Sequence, residues 1–201
     1  MAKRDWRVAS LLKAAFFCFC LIAVPHFAVA QTSGAAPIDS AQTYDEDEIL
    51  KTGHEFFGSV SGGLASVIER AFSRYGEPNG YILGEEGSGA FVAGARYGEG
   101  HLYTRNAGNH KVFWQGPSLG WDFGADGARV MMLVYSLPTV NSIYDRFAGV
   151  NGSAYLVGGA GMTVLLRNET VLVPVKAGVG ARLGLNMGYL KFTPKPTWNP
   201  F

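Results

Sequence analysis

The sequence predicts a mainly β protein: a small antiparallel β-barrel with one or two N-terminal helices and a short inserted helix. Three observations predict it. After Asn79-Gly80 most segments are five to eight residues long, rich in Val, Tyr, Phe, Trp and Thr, and separated by glycine-bearing turns. The chain carries 27 glycines, and many fall inside these segments rather than between them. Ahead of them runs an amphipathic stripe at helical spacing.

The first thirty residues read as a targeting segment. Lys3, Arg4 and Arg7 give a positive start, Ala14 to Val24 is apolar, and Pro25 ends the run. Ala28-Val29-Ala30 then offers small residues at the positions a signal peptidase reads. The run is too short for a spanning helix, which needs about 20 apolar residues. Residues 1–30 are therefore expected to be a signal peptide cleaved near Ala30, which places the mature chain in the periplasm. Removal takes away Cys18 and Cys20 and leaves no thiol. A disulfide framework, a thiolate metal site and a cysteine nucleophile are then excluded.

Residues 31–44 are small and polar and read as a disordered tether. Residues 45–201 read as a single β-barrel domain with a helical start. Asp45 to Glu48 supplies carboxylates suited to a helix N-terminus. Phe56, Val60, Leu64, Val67, Ala71 and Tyr75 follow at spacings of three and four, with Phe57, Ile68 and Phe72 widening the stripe. Gly58, Gly62 and Gly63 predict a break into two short helices, because each glycine costs about 1 kcal/mol in a helix interior. Gly76 and Pro78 stop the second. This stripe is read as a face packed on the core.

Strands are expected near Tyr81–Gly84, Gly89–Tyr97, His101–Thr104, Lys111–Gln115, Ser118–Phe123, Arg129–Tyr135, Ser153–Leu166, Val171–Lys176 and Ala181–Phe192. Asn106 to Asn109 and Arg167 to Thr170 are hairpin-loop candidates. Pro138 to Phe147 reads as a short helix or turn inserted between strands, with Ile143 and Phe147 buried. Gly94, Gly120, Gly158, Gly159, Gly161, Gly178, Gly180, Gly184 and Gly188 fall within the strand segments. Glycine weakens a strand unless the sheet bends or something comes close. A small barrel needs both, and closure removes exposed edges. A flat two-sheet sandwich is the competing reading.

Loss of the leader leaves 13 basic and 15 acidic residues, a net charge near −2. That argues against a nucleic-acid partner, which wants a basic domain. No later segment is apolar for long enough to span a membrane, so no transmembrane segment is expected after cleavage.

The search for chemistry excludes more than it finds. His54, His101 and His110 show no ligand spacing, and neither a metal nor a cofactor is expected. No Gly-x-Ser-x-Gly elbow occurs. Glu85-Glu86 reads as a turn rather than an acid/base dyad. Gly158-Gly159-Ala160-Gly161 lacks the Lys-Ser/Thr of a phosphate loop. What remains is an aromatic–glycine stretch around Trp114 to Phe123. An apolar pocket at a barrel mouth would be lined by Trp114, Gln115, Trp121, Phe123, Arg129 and Tyr135, with Asp122 a further polar group. Trp121 and Phe123 share one face and Asp122 takes the other, so only one set lines a single cavity.

Several stretches resemble the envelope integrity protein A family of alphaproteobacteria. They are Gly94-Ala95-Arg96-Tyr97-Gly98-Glu99-Gly100, Trp114 to Gly124, Ile143 to Val150, and Ser153 to Thr163. The resemblance runs from about Glu46 to the C-terminus. It implies a soluble periplasmic protein built on a small β-barrel. It also implies a role in envelope integrity and stress resistance, linked to cell-surface polysaccharide. It carries no catalytic or ligand-binding residues across. A looser similarity of pattern to the SYLF lipid-associated domains points toward an apolar or lipid-like ligand. The expectation is a non-catalytic envelope protein whose partner is a lipid, an envelope polysaccharide component or an envelope protein. The alternative is a hydrolase or transferase acting on envelope glycan or lipid.

Overall fold

The computed structural model describes residues 37–58, 63–88, 95–117, 128–177, 188–197 and 199. The segment expected to be a signal peptide, the strand expected at Ser118–Phe123, the first parts of those expected at Gly89–Tyr97 and Ala181–Phe192, and Gly94, Gly120, Gly178, Gly180 and Gly184 lie outside the described residues.

Two helices open the fold, α1 at Glu46–Phe57 and α2 at Gly63–Tyr75. Asp45 caps α1: its carboxylate accepts from the Glu48 N–H at 2.8 Å, and the Asp45 N–H donates back to the Glu48 side chain at 3.3 Å. This reciprocal pair satisfies two donors that the helix start would otherwise leave unpaired. Gly58 ends α1 at φ 86°, where a side chain would be strained. On α2, Leu64, Val67, Ile68 and Ala71 are fully buried at the i, i+3, i+4, i+7 positions of one face. Each large apolar side chain there contributes about 1.5–3 kcal/mol through burial.

The strands are β1 (Gly80–Ser88), β2 (Ala95–Thr104), β3 (Gly108–Pro117), β4 (Ala128–Tyr135), β5 (Arg146–Gly149), β6 (Tyr155–Val157), β7 (Ala160–Met162), β8 (Leu165–Arg167), β9 (Thr170–Ala177) and β10 (Tyr189–Thr193). Each pairs antiparallel in the order β4-β1-β2-β3-β10-β5-β8-β9, and β9 returns to β4. This closes an eight-stranded barrel among the described residues. The barrel replaces the sandwich alternative. The β6–β7 hairpin adds to the same edge of β9 beyond β8. Pro174 sits where that edge changes partner, and its carbonyl accepts from the Thr163 N–H at 3.2 Å. A residue without an N–H is tolerated at such a break.

The pleat divides the side chains into two cores. Ile82, Leu102, Val112, Trp114, Val130, Met132, Val134, Leu172, Leu190 and Phe192 pack inside the barrel. Met131, Leu133, Tyr135, Val173 and Val175 point outward and pack with the helix face. The inserted element is a 3-10 turn at Val140–Ile143 with Ile143 and Phe147 fully buried.

Four details depart from the sequence reading. Residues 37–44 are not a loose tether: Ile38 is buried in the interior core, and its N–H donates to the Pro138 carbonyl at 2.9 Å. Glu85 and Glu86 lie within β1, not in a turn. The described end of the segment expected at Gly89–Tyr97 (95–97) and the segment expected at His101–Thr104 meet in one strand, β2, because Gly98 and Gly100 do not interrupt its ladder. The strand expected over Ser153–Leu166 splits into three, with Gly158 and Gly159 turning the chain at φ 54° and 81°.

The interior glycines have a definite steric role. A Cβ on Gly98 would lie 2.2 Å from Cε2 of Trp114, and one on Gly84 would lie 2.6 Å from Cη2 of the same ring. The indole therefore occupies space that only glycine leaves. Gly98→Ala is expected to cost about 1–3 kcal/mol by overpacking, read as a lower urea midpoint at unchanged slope.

Candidate functional site

Two features of the wall formed by β1, β2 and β3 stand out, one on each face. Both follow from alternation along the strands.

The inward face holds a buried charge cluster. Glu86, Arg96 and Lys176 share the inward register of Ile82, Leu102 and Leu172, and all are at most 5% exposed. Lys176 Nζ lies 2.7 Å and Arg96 Nη1 3.3 Å from Glu86 Oε1. The Trp114 indole N–H donates to Glu86 Oε2 at 3.1 Å, and Arg96 Nε donates to the Pro117 carbonyl at 3.0 Å. Burial alone pushes the Glu86 carboxyl up. The Lys176 and Arg96 charges, with hydrogen bonds from Lys176 and Trp114, outweigh it and hold the group below the ordinary range.

The outward face holds a pocket of about 390 Å³. Its outward-pointing positions are set by register: Glu85 opposes Glu99, which opposes Phe113, while Gly87 opposes Tyr97, which opposes Gln115. Pro196 and Thr197 of the C-terminal segment complete the lining. Gly87 leaves one wall open, since a Cβ there would meet nothing within 4 Å. Gln115 is 1% exposed, and its Nε2 has no hydrogen-bond partner among the described residues. Lys111 Nζ lies 3.3 Å from Glu99 Oε2 and 5.1 Å from the centre of the Phe113 ring.

The predicted site residues do not form one site. Trp114 is fully buried inside the barrel, its ring 5.9 Å from that of Phe192. Gln115, its neighbour, faces the other way. These two border the outer pocket from the two faces of β3. Arg129 donates to the Phe56 carbonyl at 2.8 Å and lies over the Phe56 ring, so it anchors the end of α1. Tyr135 lies outside the barrel with its ring 5.5 Å from that of Tyr75. Burial first, and the Tyr75 phenol second, push the Tyr135 phenol above its ordinary pKa. Trp121, Asp122 and Phe123 lie outside the described residues.

Sequence reasoning missed the buried cluster and Glu85, Gly87, Tyr97 and Glu99. A signal existed: Glu86 falls at an even step from Ile82, Arg96 from Leu102, and Lys176 from Leu172. Among the described residues no three His, Cys, Asp or Glu side chains gather as a metal site would require. No helix among them is long and apolar enough to cross a membrane.

Comparison with known proteins extends this picture. No curated protein matches the chain. A crystal structure of a β-barrel-like, uncharacterized protein from Brucella abortus is similar at 63% identity and a TM-score of 0.76, over 80% of this chain and 99% of that one. The family model described as envelope integrity protein A matches residues 42–201. With four-fifths of its length matched and the barrel topology shared, the chain belongs to the envelope integrity protein A family.

Proposed function

We propose that this protein is an exported, non-catalytic envelope-integrity factor that acts from the periplasm and binds its envelope ligand in the outer-wall pocket. The pocket carries the reading: it is a concave space of about 390 Å³ sided by Tyr97 and Phe113, with Glu85 and Glu99 in its lining. A ligand lodged inside the barrel is disfavoured by the side chains that already pack there. The leader-like N-terminus supports export. Glu86, the buried carboxylate of the cluster, supports a structural role, because two cations hold it ionised.

Gly87→Trp tests the reading. The substitution projects a large side chain from a position with open space, so the barrel should fold normally. In a strain deleted for this protein, the variant should fail to restore whatever envelope-stress resistance the wild-type chain restores, at unchanged protein level. Retained resistance would contradict the proposal.

The second reading, a hydrolase or transferase, draws on one observation: Glu85 and Glu99 oppose each other and both line the pocket. Glu99→Gln separates the two. Binding tolerates a neutral acceptor there, whereas a proton-transfer role does not.

A further inference from the structure

The outer face of β10, β5 and β8 differs in chemistry from the wall that holds the pocket. Alternation sends Leu190, Phe147 and Leu165 into the interior core and leaves Tyr189, Lys191, Arg146, Ala148 and Leu166 outside. Tyr189 opposes Ala148, Ala148 opposes Leu166, and Lys191 opposes Arg146. Val150 follows Ala148 on the same side, and its N–H donates to the Val164 carbonyl at 2.9 Å, which carries the pairing one step further. Val150 and Leu166 are then diagonal neighbours. Three large apolar side chains are exposed among the described residues, and Val150 at 37% and Leu166 at 41% are two of them. Scattered exposed apolar residues need no explanation, whereas adjoining ones rimmed by charge mark a contact surface.

Charge points to the partner. These three strands hold three charged residues, Arg146, Arg167 and Lys191, all basic, although the chain beyond residue 30 is net acidic. The preceding acid, Asp145, is engaged by Arg167 Nε at 2.6 Å and by the Arg146 N–H at 2.7 Å. Glu169 sits in the turn beyond Arg167. The Arg146 guanidinium lies 5.1 Å from the centre of the Tyr189 ring. Like charges directly opposite across a ladder repel, so strand pairing does not reward the facing of Arg146 and Lys191. An anion between them would. β1 and β2 stand four strands away from β5 and β8 in the barrel, and their outward acids Glu85 and Glu99 therefore lie on the far side.

We infer that the β10–β5–β8 wall docks on a bilayer containing anionic phospholipid. Arg146 and Lys191 meet headgroup phosphates, Tyr189 sits at headgroup level, and Leu166 and Val150 enter the acyl boundary. A soluble anionic polymer would leave the apolar pair in water. An apolar protein surface would strip water from the cations without pairing them.

The chain purified after export is floated with vesicles of phosphatidylglycerol and phosphatidylethanolamine, and with vesicles of phosphatidylcholine, in about 50 mM salt, where screening is weak. It should float with the anionic vesicles only. Arg146→Gln combined with Lys191→Gln, both exchanges on the outer face, should lower the bound fraction at least about tenfold with the barrel still folded by circular dichroism. Gly87→Trp should float as the wild type does, because the pocket lies on another wall. Residues 31–201 contain no cysteine, so Leu166→Cys gives a single site for an environment-sensitive fluorophore. That label should brighten on the anionic vesicles, and one at His101→Cys, exposed on β2, should not. Equal binding to phosphatidylcholine, binding retained by the double variant or lost in Gly87→Trp, or brightening at His101 instead would each overturn the inference. So would a wild-type chain that ignores vesicles, including one that forms a dimer which Leu166→Ser dissociates, since the wall would then be a protein interface.

Discussion

Glu86→Gln should destabilise the protein by about 3–5 kcal/mol, the usual cost of removing one member of a buried ion pair. The variant keeps the shape of the side chain and removes its charge. Arg96 and Lys176, each under 5% exposed, then face one another with no counter-charge. Urea denaturation at neutral pH measures the loss. The pH dependence adds a second check. The folded carboxyl titrates below its ordinary value of 4.5. Its contribution is therefore complete above about pH 4.5 and is lost as pH falls through the lowered folded value. Wild-type stability should drop across that acid window, and Glu86→Gln should show a weaker drop from a lower starting point. Replacing Glu86, Arg96 and Lys176 together by apolar residues of similar size should recover most of the loss.

Trp114→Ala should cost about 3–5 kcal/mol, since it empties the largest fully buried side chain among the described residues. It also deletes the 3.1 Å hydrogen bond to Glu86 and the contact with Phe192. The glycines make the effect separable from generic core damage. In the Trp114→Ala background the obstacle 2.2 Å from a Gly98 Cβ is gone. Gly98→Ala should then be nearly neutral, where in the native protein it costs about 1–3 kcal/mol. A double-mutant cycle by urea unfolding reads this coupling. Additive losses would mean that glycine serves the backbone at position 98 and not the ring.

Much of the fold was legible in the sequence for identifiable reasons. The α2 face was readable because Leu64, Val67, Ile68 and Ala71 repeat at helical spacing, and Gly76 and Pro78 mark its end. The hairpin after Arg167 was readable because Asn168 tolerates the left-handed conformation it adopts at φ 53°. Short strands such as β5 to β8 were poorly legible, since three or four residues carry too little periodicity. The anchoring of residues 37–44 rests largely on Ile38 and on backbone hydrogen bonds, which leave no pattern in composition.

The candidate site was legible only in part. Trp114 and Gln115 drew attention through their aromatic–glycine setting, and both border the pocket. Arg129 and Tyr135 belong to the packing of α1 and α2, because β4 presents its odd-numbered residues to the helices. Glu85 and Glu86 could be separated only once β1 was known to continue to Ser88. One then faces the pocket and the other the buried cluster. Register across strands brings Glu85, Glu99 and Phe113 into a row, and no spacing along the chain reports register.

Native mass spectrometry of the protein recovered from the cells that make it bears most directly on the proposal that this barrel holds a ligand in its outer wall. The wild-type chain should carry an adduct that Gly87→Trp lacks. An adduct retained by Gly87→Trp, or none on either protein, would contradict the outer-wall site.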